Sequence, residues 1–170
     1  MRSLRKCFDR HGCDRGSLRH HYDVVYQDLE PPARMLEVGI LHGAGIASWL
    51  EWFPEAEIVG LDTFERVHEN KVAILKDPRV TWWKGDSRTL TKIPGPFDLI
   101  IDDGDHSADA QRETFINLFP LLSPGGVYFI EDAHPGRPGW EDLLDTLMGF
   151  HVEHHDLRGH PDSYLIEVRC

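Results

Sequence analysis

Apolar residues along the chain follow two alternating patterns. Short continuous apolar runs predict buried β-strands, and between them apolar residues recur every three or four positions, as in helices. The predicted strands are 34–38, 58–61, 80–83, 97–101 and 127–130, and the predicted helices are 17–29, 43–52, 69–75, 108–122 and 140–148. Two alternating segments, 151–157 and 163–168, predict a closing hairpin. This order predicts an α/β fold: a doubly wound, mostly parallel seven-stranded sheet with helices on both faces and a C-terminal antiparallel hairpin.

Composition places the chain among globular proteins. Hydrophobic residues make up 41% of the 170 positions and charged residues 28%. No apolar run approaches the roughly 18 residues of a membrane span, and the basic N-terminus lacks the apolar stretch of a signal peptide. Three scattered cysteines fit a reducing compartment. These features predict a cytoplasmic protein of one domain.

The charge balance favours cationic ligands. Twenty-nine acidic residues against 18 basic ones give a formal net charge of −11. This excess repels phosphate backbones and anionic membranes, so nucleic acid and membrane surfaces are not expected partners. A metal ion or a positively charged cofactor is favoured instead.

An acidic residue stands at or just after the end of each of the five predicted parallel strands. In open α/β sheets, ligands bind at the carboxyl ends of the strands. The acids at these five ends are, in chain order, Glu37, Asp62, Asp86, the pair Asp102 and Asp103, and the pair Glu131 and Asp132. We therefore expect them to surround one ligand site.

The first strand end predicts a cofactor site. The loop after it contains Gly39, Gly43 and Gly45, which is not the G-x-G-x-x-G spacing of a dinucleotide site. A carboxylate at Glu37 disfavours a phosphate and favours an amine or another cation. Asp62 can accept both hydroxyls of a ribose. The glycines alone could equally serve a tight strand-to-helix turn.

The fourth and fifth strand ends predict a metal site. Asp103, Glu131 and Asp132 offer three carboxylates, the ligands that a hard divalent cation prefers, and Mg²⁺, Mn²⁺ and Ca²⁺ all remain open. His106 follows Asp103 by three residues and can serve as a base near neutral pH. In the alternative interpretation, the aspartates only form turns and the strand-end acids are solvated.

Two stretches resemble a known enzyme family. Residues 35–62 look like the cofactor-binding half of class I S-adenosylmethionine-dependent methyltransferases, which have a Rossmann-like fold. Residues 97–134, with the motif DDGDH and a following ED pair, are similar to the metal-dependent sugar O-methyltransferases of the macrocin and mycinamicin type and to the cephalosporin-hydroxylase-like group. Residues 9–31 resemble the T-D-K-G and H-Y segment that precedes the fold in such enzymes.

The resemblance implies a role for each strand-end residue. It implies cofactor contacts for Glu37, Gly39, Gly43, Asp62, Asp86, Ser87 and Asp102, metal ligation for Asp103, Glu131 and Asp132, and the general base for His106. The chain departs from the family at Asp105, where Ser is usual. We also expect it to lack the additional domain of the larger macrolide enzymes, so we do not transfer their substrate pocket to it.

Together, these features predict an S-adenosylmethionine- and Mg²⁺-dependent O-methyltransferase for a hydroxylated small molecule, such as a sugar or another vicinal diol. The expected single domain (1–170) has an N-terminal helical segment (1–30), a cofactor and metal core (31–134) and a C-terminal helix and strand pair (135–170). A homo-oligomer stays open. The alternatives are a non-catalytic cofactor- or metal-binding protein and a nicotinamide-dependent oxidoreductase.

Overall fold

A single mixed sheet organises the chain in a computed structural model that describes residues 3–157, 159 and 162–169. Its strands are β1 (Arg34–Val38), β2 (Glu57–Asp62), β3 (Val80–Lys84), β4 (Phe97–Asp102), β5 (Leu122–Ile130), β6 (His151–Asp156) and β7 (Tyr164–Arg169). The spatial order is β3-β2-β1-β4-β5-β7-β6. Strands β1 to β5 are parallel, and β7 is antiparallel to both β5 and β6. The predicted fold class is confirmed.

Helices cover both faces of the sheet because residues alternate between the faces along each strand. The helices are α1 (Leu4–His11), α2 (Asp23–Tyr26), α3 (Ala44–Trp52), α4 (Ala108–Leu118) and α5 (Trp140–Leu147). Met35 of β1 packs in a core with residues of α1, α2 and α3, while its neighbour Leu36 packs in a second core with residues of α4 and α5. Among the described residues, no helix has both the length and the apolar character that crossing a membrane demands.

The N-terminal prediction was wrong in position. Instead of one helix over 17–29, the chain forms α1, a run of turns, and the single helical turn α2. Helix α1 ends at Gly12 in the left-handed conformation, with φ 69°, and His21 also has a positive φ of 59°. Leu18, which the helical spacing placed on an apolar face, is 62% exposed. The conformation of residues 12–22 is therefore not that of an amphipathic helix, and other contacts must hold these turns in place.

Three further boundaries differ from the sequence prediction. The weak helix at 69–75 forms two 3₁₀ turns, Glu69–Lys71 and Ala73–Lys76. Helix α4 ends at Leu118, just before a 3₁₀ turn that contains Pro120, a residue that lacks the N–H needed in a helix interior. Strand β5 begins at Leu122 and not at the predicted residue 127, and its added residues lie next to an irregularity in the pairing with β4. In the hairpin turn between β6 and β7, residues 158, 160 and 161 lie outside the described part of the chain.

Candidate functional site

The strand-end acids are brought together by register and by alternation. β1 lies between β2 and β4, and Val38 pairs with Leu61 on one side and Asp102 on the other. The pairing continues beyond the strands, since Asp103 N–H donates to the Val38 carbonyl and Glu131 N–H donates to the Asp102 carbonyl. These carboxyl ends therefore form one edge, at the point where the strand order reverses.

Three acids of this edge share one face of the sheet. Glu37, Asp103 and Glu131 each lie two positions after a residue of the first core, namely Met35, Ile101 and Phe129. Because side chains alternate with a period of two, all three carboxylates point toward the N-terminal segment. Glu37 and Glu131 are each 2% exposed.

Arg15 of the N-terminal segment lies at the centre of these carboxylates. Its Nε donates to both oxygens of Glu131 at 2.7 and 2.8 Å, its Nη1 to Oε1 of Glu37 at 2.9 Å, and its Nη2 to Oδ2 of Asp103 at 2.7 Å. Arg15 is 1% exposed. Arg15 was not among the site residues predicted from the sequence. The available signal was the basic residue at the position of the Lys in the T-D-K-G segment.

Burial and ion pairing act against each other in this cluster. Burial opposes the charged form of Arg15, but Glu131, Glu37 and Asp103 outweigh it and raise the pKa of the guanidinium above its ordinary value. Burial raises the pKa of Glu131 to about 7, although Arg15 counteracts the shift. Burial likewise raises the pKa values of Asp103 and Glu37, and Arg15 limits the rise without cancelling it. The guanidinium is thus what favours ionisation of these carboxyls.

A second group of side chains includes Asp103, whose other oxygen, Oδ1, lies toward His106. One oxygen or nitrogen from each of Asp103, His106 and Asp132 lies within 4.8 Å of the others, as needed to hold a metal ion. The His106 Nε2 is 4.0 Å from Oδ1 of Asp103 and 3.9 Å from Oδ2 of Asp132. The Tyr22 hydroxyl donates to Oδ1 of Asp132 at 2.7 Å and so fixes that carboxylate.

Glu131, the third predicted metal ligand, is engaged elsewhere. Both of its oxygens accept from Arg15, and the Tyr26 hydroxyl also donates to Oε1. Its ligation of a metal stays a prediction, and it would have to share an oxygen with Arg15 or exchange that bond.

His106 is suited to accept a proton. Burial lowers the pKa of its imidazole, although Asp132 opposes the shift, so the neutral form prevails at neutral pH. Its Nδ1 is buried and has no hydrogen-bond partner among the described residues. Asp105, the departure from the family motif, accepts from the Ser107 N–H at 2.9 Å. Ser107 is the N-cap residue of α4.

The glycine loop after β1 packs against the loop that follows β4, which contains Asp103 and Gly104 and is called the metal-side loop here. Gly39 adopts φ +86°, and a Cβ there would lie 1.9 Å from the Asp103 carbonyl oxygen. Asp62 holds this loop, since its Oδ2 accepts from the N–H groups of Ile40 and Leu41 at 2.7 and 3.1 Å. Gly43, at φ +82°, begins α3. Only glycine fits at Gly39, so this glycine serves a tight turn whatever else it contacts.

The remaining predicted cofactor residues have partners within the protein. Asp86 is paired with Arg88 at 2.6 Å, and Ser87 bonds the Thr114 hydroxyl at 2.8 Å. Asp102 points to the opposite face of the sheet from Glu37, toward the Tyr128 hydroxyl at 3.5 Å, and burial raises its pKa to about 8. Their contacts with a cofactor stay predictions.

Sheet order, acidic strand ends and glycine loop define a Rossmann-like domain of the methyltransferase class. Comparison with family models agrees: residues 36–133, more than half of the chain, match the family described as methyltransferase domain. The chain belongs to this family.

Curated relatives act on natural products. The chain is 34% identical over 167 residues to mycinamicin VI 2''-O-methyltransferase of Micromonospora griseorubida, an alignment that covers 84% of the chain and 41% of that protein. It is 33% identical over 137 residues to a tetracenomycin-type rhamnosyl 3'-O-methyltransferase of Streptomyces olivaceus, covering 72% of the chain and 35% of that protein. The chain therefore spans less than half the length of these relatives.

A solved structure shares both the fold and detectable sequence similarity. It is that of MycE methyltransferase from the mycinamycin biosynthetic pathway in complex with Mg, SAH and mycinamycin VI. The TM-score is 0.70 at 28% identity, and the match covers 99% of this chain and 54% of MycE.

Proposed function

We propose that this protein is an S-adenosylmethionine-dependent, divalent-metal-dependent O-methyltransferase that acts on a hydroxyl of a small molecule, a sugar or another vicinal diol. The observation that carries the proposal is that Asp103, His106 and Asp132 converge beside the end of β1, where Glu37 lies. Relatives named for sugar O-methylation, and MycE bound to Mg and SAH, support it.

The Glu37 side fits a cationic cofactor. Oε1 of Glu37 accepts from Arg15, while its Oε2 is buried and makes no hydrogen bond of normal geometry among the described residues, although the Trp49 indole is close enough to counteract the rise that burial causes in the pKa of the carboxyl. A buried carboxylate oxygen without a donor is costly, and a ligand amine would satisfy it. The cofactor supplies an electrophilic methyl group on a sulfonium. We propose that it is held by Glu37, Gly39, Gly43, Asp62, Asp86, Ser87 and Asp102.

The other side fits a hard dication. Oδ1 of Asp103 and Oδ2 of Asp132 face the same space as the His106 imidazole. We propose Asp103, Asp132 and, through an oxygen shared with Arg15, Glu131 as ligands of Mg²⁺. When bound, this ion would act as a Lewis acid that lowers the pKa of a neighbouring hydroxyl and fixes its position.

His106 then acts as the general base. Its neutral imidazole would take the proton of the substrate hydroxyl at a ring nitrogen. The methyl group supplied by the bound cofactor would pass to that oxygen as its bond to sulfur breaks, and S-adenosylhomocysteine would leave. Asp132 would stabilise the imidazolium that forms, since it lies 3.9 Å away. Tyr22 holds Asp132 by its hydroxyl and so keeps the carboxylate at this distance.

The test is a methyl-transfer assay with S-adenosylmethionine and a panel of sugars and other diols, in Mg²⁺ and in EDTA. Activity on a diol should require the metal. H106N should lose about 10²–10⁴-fold in turnover while its affinity for S-adenosylhomocysteine, measured by calorimetry, is retained. H151N, an exposed histidine on β6, is the matched control and should be unaffected.

Three kinds of outcome would contradict the proposal. Turnover that survives EDTA or the H106N change would remove the metal or the base from the mechanism. Binding of S-adenosylhomocysteine without transfer to any diol would favour the non-catalytic alternative. Tighter binding of NAD than of S-adenosylhomocysteine would favour an oxidoreductase.

A further inference from the structure

Arg15 is a buried cation that the reaction itself does not use. Four of its five donor contacts end on three carboxylates, each of which belongs to the proposed cofactor or metal site, and the fifth is a long contact of 3.9 Å with the Cys13 sulfur. The fold makes room for it, because a Cβ at Gly45 in α3 would lie 2.2 Å from Nη1 of Arg15 and 2.1 Å from Oε1 of Glu37. Arg15 is 22 residues from Glu37 and 116 from Glu131 along the chain, so the cluster also ties the N-terminal segment to the sheet.

We infer that Arg15 is a positioning residue and the resident cation of this site: it holds Glu37, Asp103 and Glu131 together in the metal-free protein and competes with the divalent cation for Asp103 and Glu131. The inference rests on the proposed metal site. It gives Arg15 a regulatory effect, because the strength of divalent binding would be set from the N-terminal segment.

The two oxygens of Asp103 explain the competition. Oδ2 accepts from Arg15 at 2.7 Å, and Oδ1 faces His106 at 4.0 Å, on the side where a metal would bind. The Asp103 carboxylate would thus bind two cations. Its ion pair with Arg15 partly neutralises its negative charge and so weakens its attraction for a metal ion. The guanidinium also repels a dication across this short distance, in a buried setting where screening by water and salt is weak.

The same contacts explain why the protein would fold without a metal. Glu37 and Glu131 are buried and Asp103 is partly buried, so these three carboxylates would be costly to bring together with no counter-charge. Loss of one partner from a buried ion pair is strongly destabilising. Arg15 supplies that charge from within the chain. Removing it should therefore lower stability in EDTA and increase the demand for an external dication.

The test uses R15M, which keeps the apolar stem and removes the charge, and R15K, which keeps the charge. R5M is the matched control, because Arg5 pairs with Asp23 in the same N-terminal segment, away from the acid cluster. Calorimetry gives the Mg²⁺ affinity of each variant, and thermal unfolding is followed in EDTA and in Mg²⁺.

R15M should bind Mg²⁺ about tenfold more tightly than the unmodified protein, a typical size for coupling between sites. Its melting temperature in EDTA should fall and should recover with Mg²⁺ more than that of R5M does. R15K should restore an affinity close to the original. If R15M binds Mg²⁺ equally or more weakly, or gains no more stability from it than R5M, Arg15 only packs the segment and the inference is wrong.

Two further variants keep the outcomes distinct. Suppose that the unmodified protein binds Mg²⁺, that D132N abolishes this binding, and that R15M binds no more tightly than the unmodified protein. Then only the inference about Arg15 fails, and the proposed metal site stands. If the unmodified protein shows no Mg²⁺ binding, the proposed metal site fails with it. Should R15M not fold, R15M/E131Q removes one cation and one anion together. It should regain yield and stability, and a double variant no better than R15M would overturn the inference.

Discussion

Replacement of Gly39 by alanine tests whether the cofactor loop and the metal-side loop are one packed unit. Gly39 follows β1 with φ +86°, and an added Cβ would lie 1.9 Å from the Asp103 carbonyl oxygen and 2.7 Å from its carbonyl carbon. Both contacts are with backbone, which cannot rotate away as a side chain can. The Asp103 N–H is itself bonded to the Val38 carbonyl at 3.0 Å.

The expected cost has two parts. A left-handed backbone costs an alanine about 1–2 kcal/mol relative to glycine. Overpacking against a fixed neighbour adds about 1–3 kcal/mol. The sum, about 2–5 kcal/mol, corresponds to a loss of roughly 10 °C in melting temperature for a domain of this size. The shift in the Asp103 backbone should also weaken Mg²⁺ binding.

Gly125 provides the matched control. It has nearly the same backbone conformation, φ +80°, but a Cβ there would meet nothing within 4 Å. G125A should therefore cost only the backbone part, about 1–2 kcal/mol, and leave Mg²⁺ and S-adenosylhomocysteine affinities unchanged. Urea unfolding and calorimetry on both variants give the comparison. Equal losses of stability in G39A and G125A would refute the close packing of the two loops.

Three further predictions concern buried side chains of the N-terminal half. W49A should lower the free energy of unfolding by about 3–5 kcal/mol in urea, because Trp49 is fully buried between the rings of Phe8 and Tyr26; a loss below 1 kcal/mol would contradict this packing. Y26F should cost about 1–3 kcal/mol, since it removes a hydroxyl that donates to Glu131, and an unchanged unfolding curve would disprove that bond's importance. Burial raises the pKa of the Cys13 thiol to about 12, so the thiolate is absent at pH 8 and a disulfide reagent should label Cys13 only in urea; rapid labelling of the native protein would contradict this.

The sheet could be predicted from sequence because its central strands are covered on both faces. Continuous apolar runs such as 127–130 indicate burial on both sides, and parallel pairing follows from the helices between the strands. The alternation that sends Met35 and Leu36 into opposite cores also places Glu37 on the first face. Fold and strand-end acids were thus local properties of the sequence.

The N-terminal segment could not be predicted in the same way. Its turns at 12–22 form around ionic and hydrogen-bonded contacts with distant residues, including the bond from Arg15 to Glu131, 116 positions away. Such contacts leave no hydrophobic period, and the spacing of Leu18 and its neighbours imitated a helix. The two 3₁₀ turns that replace the helix predicted at 69–75, and the end of α4 at Leu118, were also not predicted. The spacing of apolar residues does not distinguish 3₁₀ turns from an α-helix.

The charge of the site shows why this omission matters. The sequence predicts a bound cation at these carboxylates, and the net charge of −11 favours one. The structure adds Arg15, whose single positive charge faces Glu37, Asp103 and Glu131, with Asp132 close by. If all four carboxyls are ionised, a formal charge of −3 remains. A dication together with the singly positive sulfonium cofactor would neutralise it. Arg15 therefore does not remove the need for a bound dication and a cationic cofactor, because three negative charges remain on this cluster when its four carboxyls are ionised.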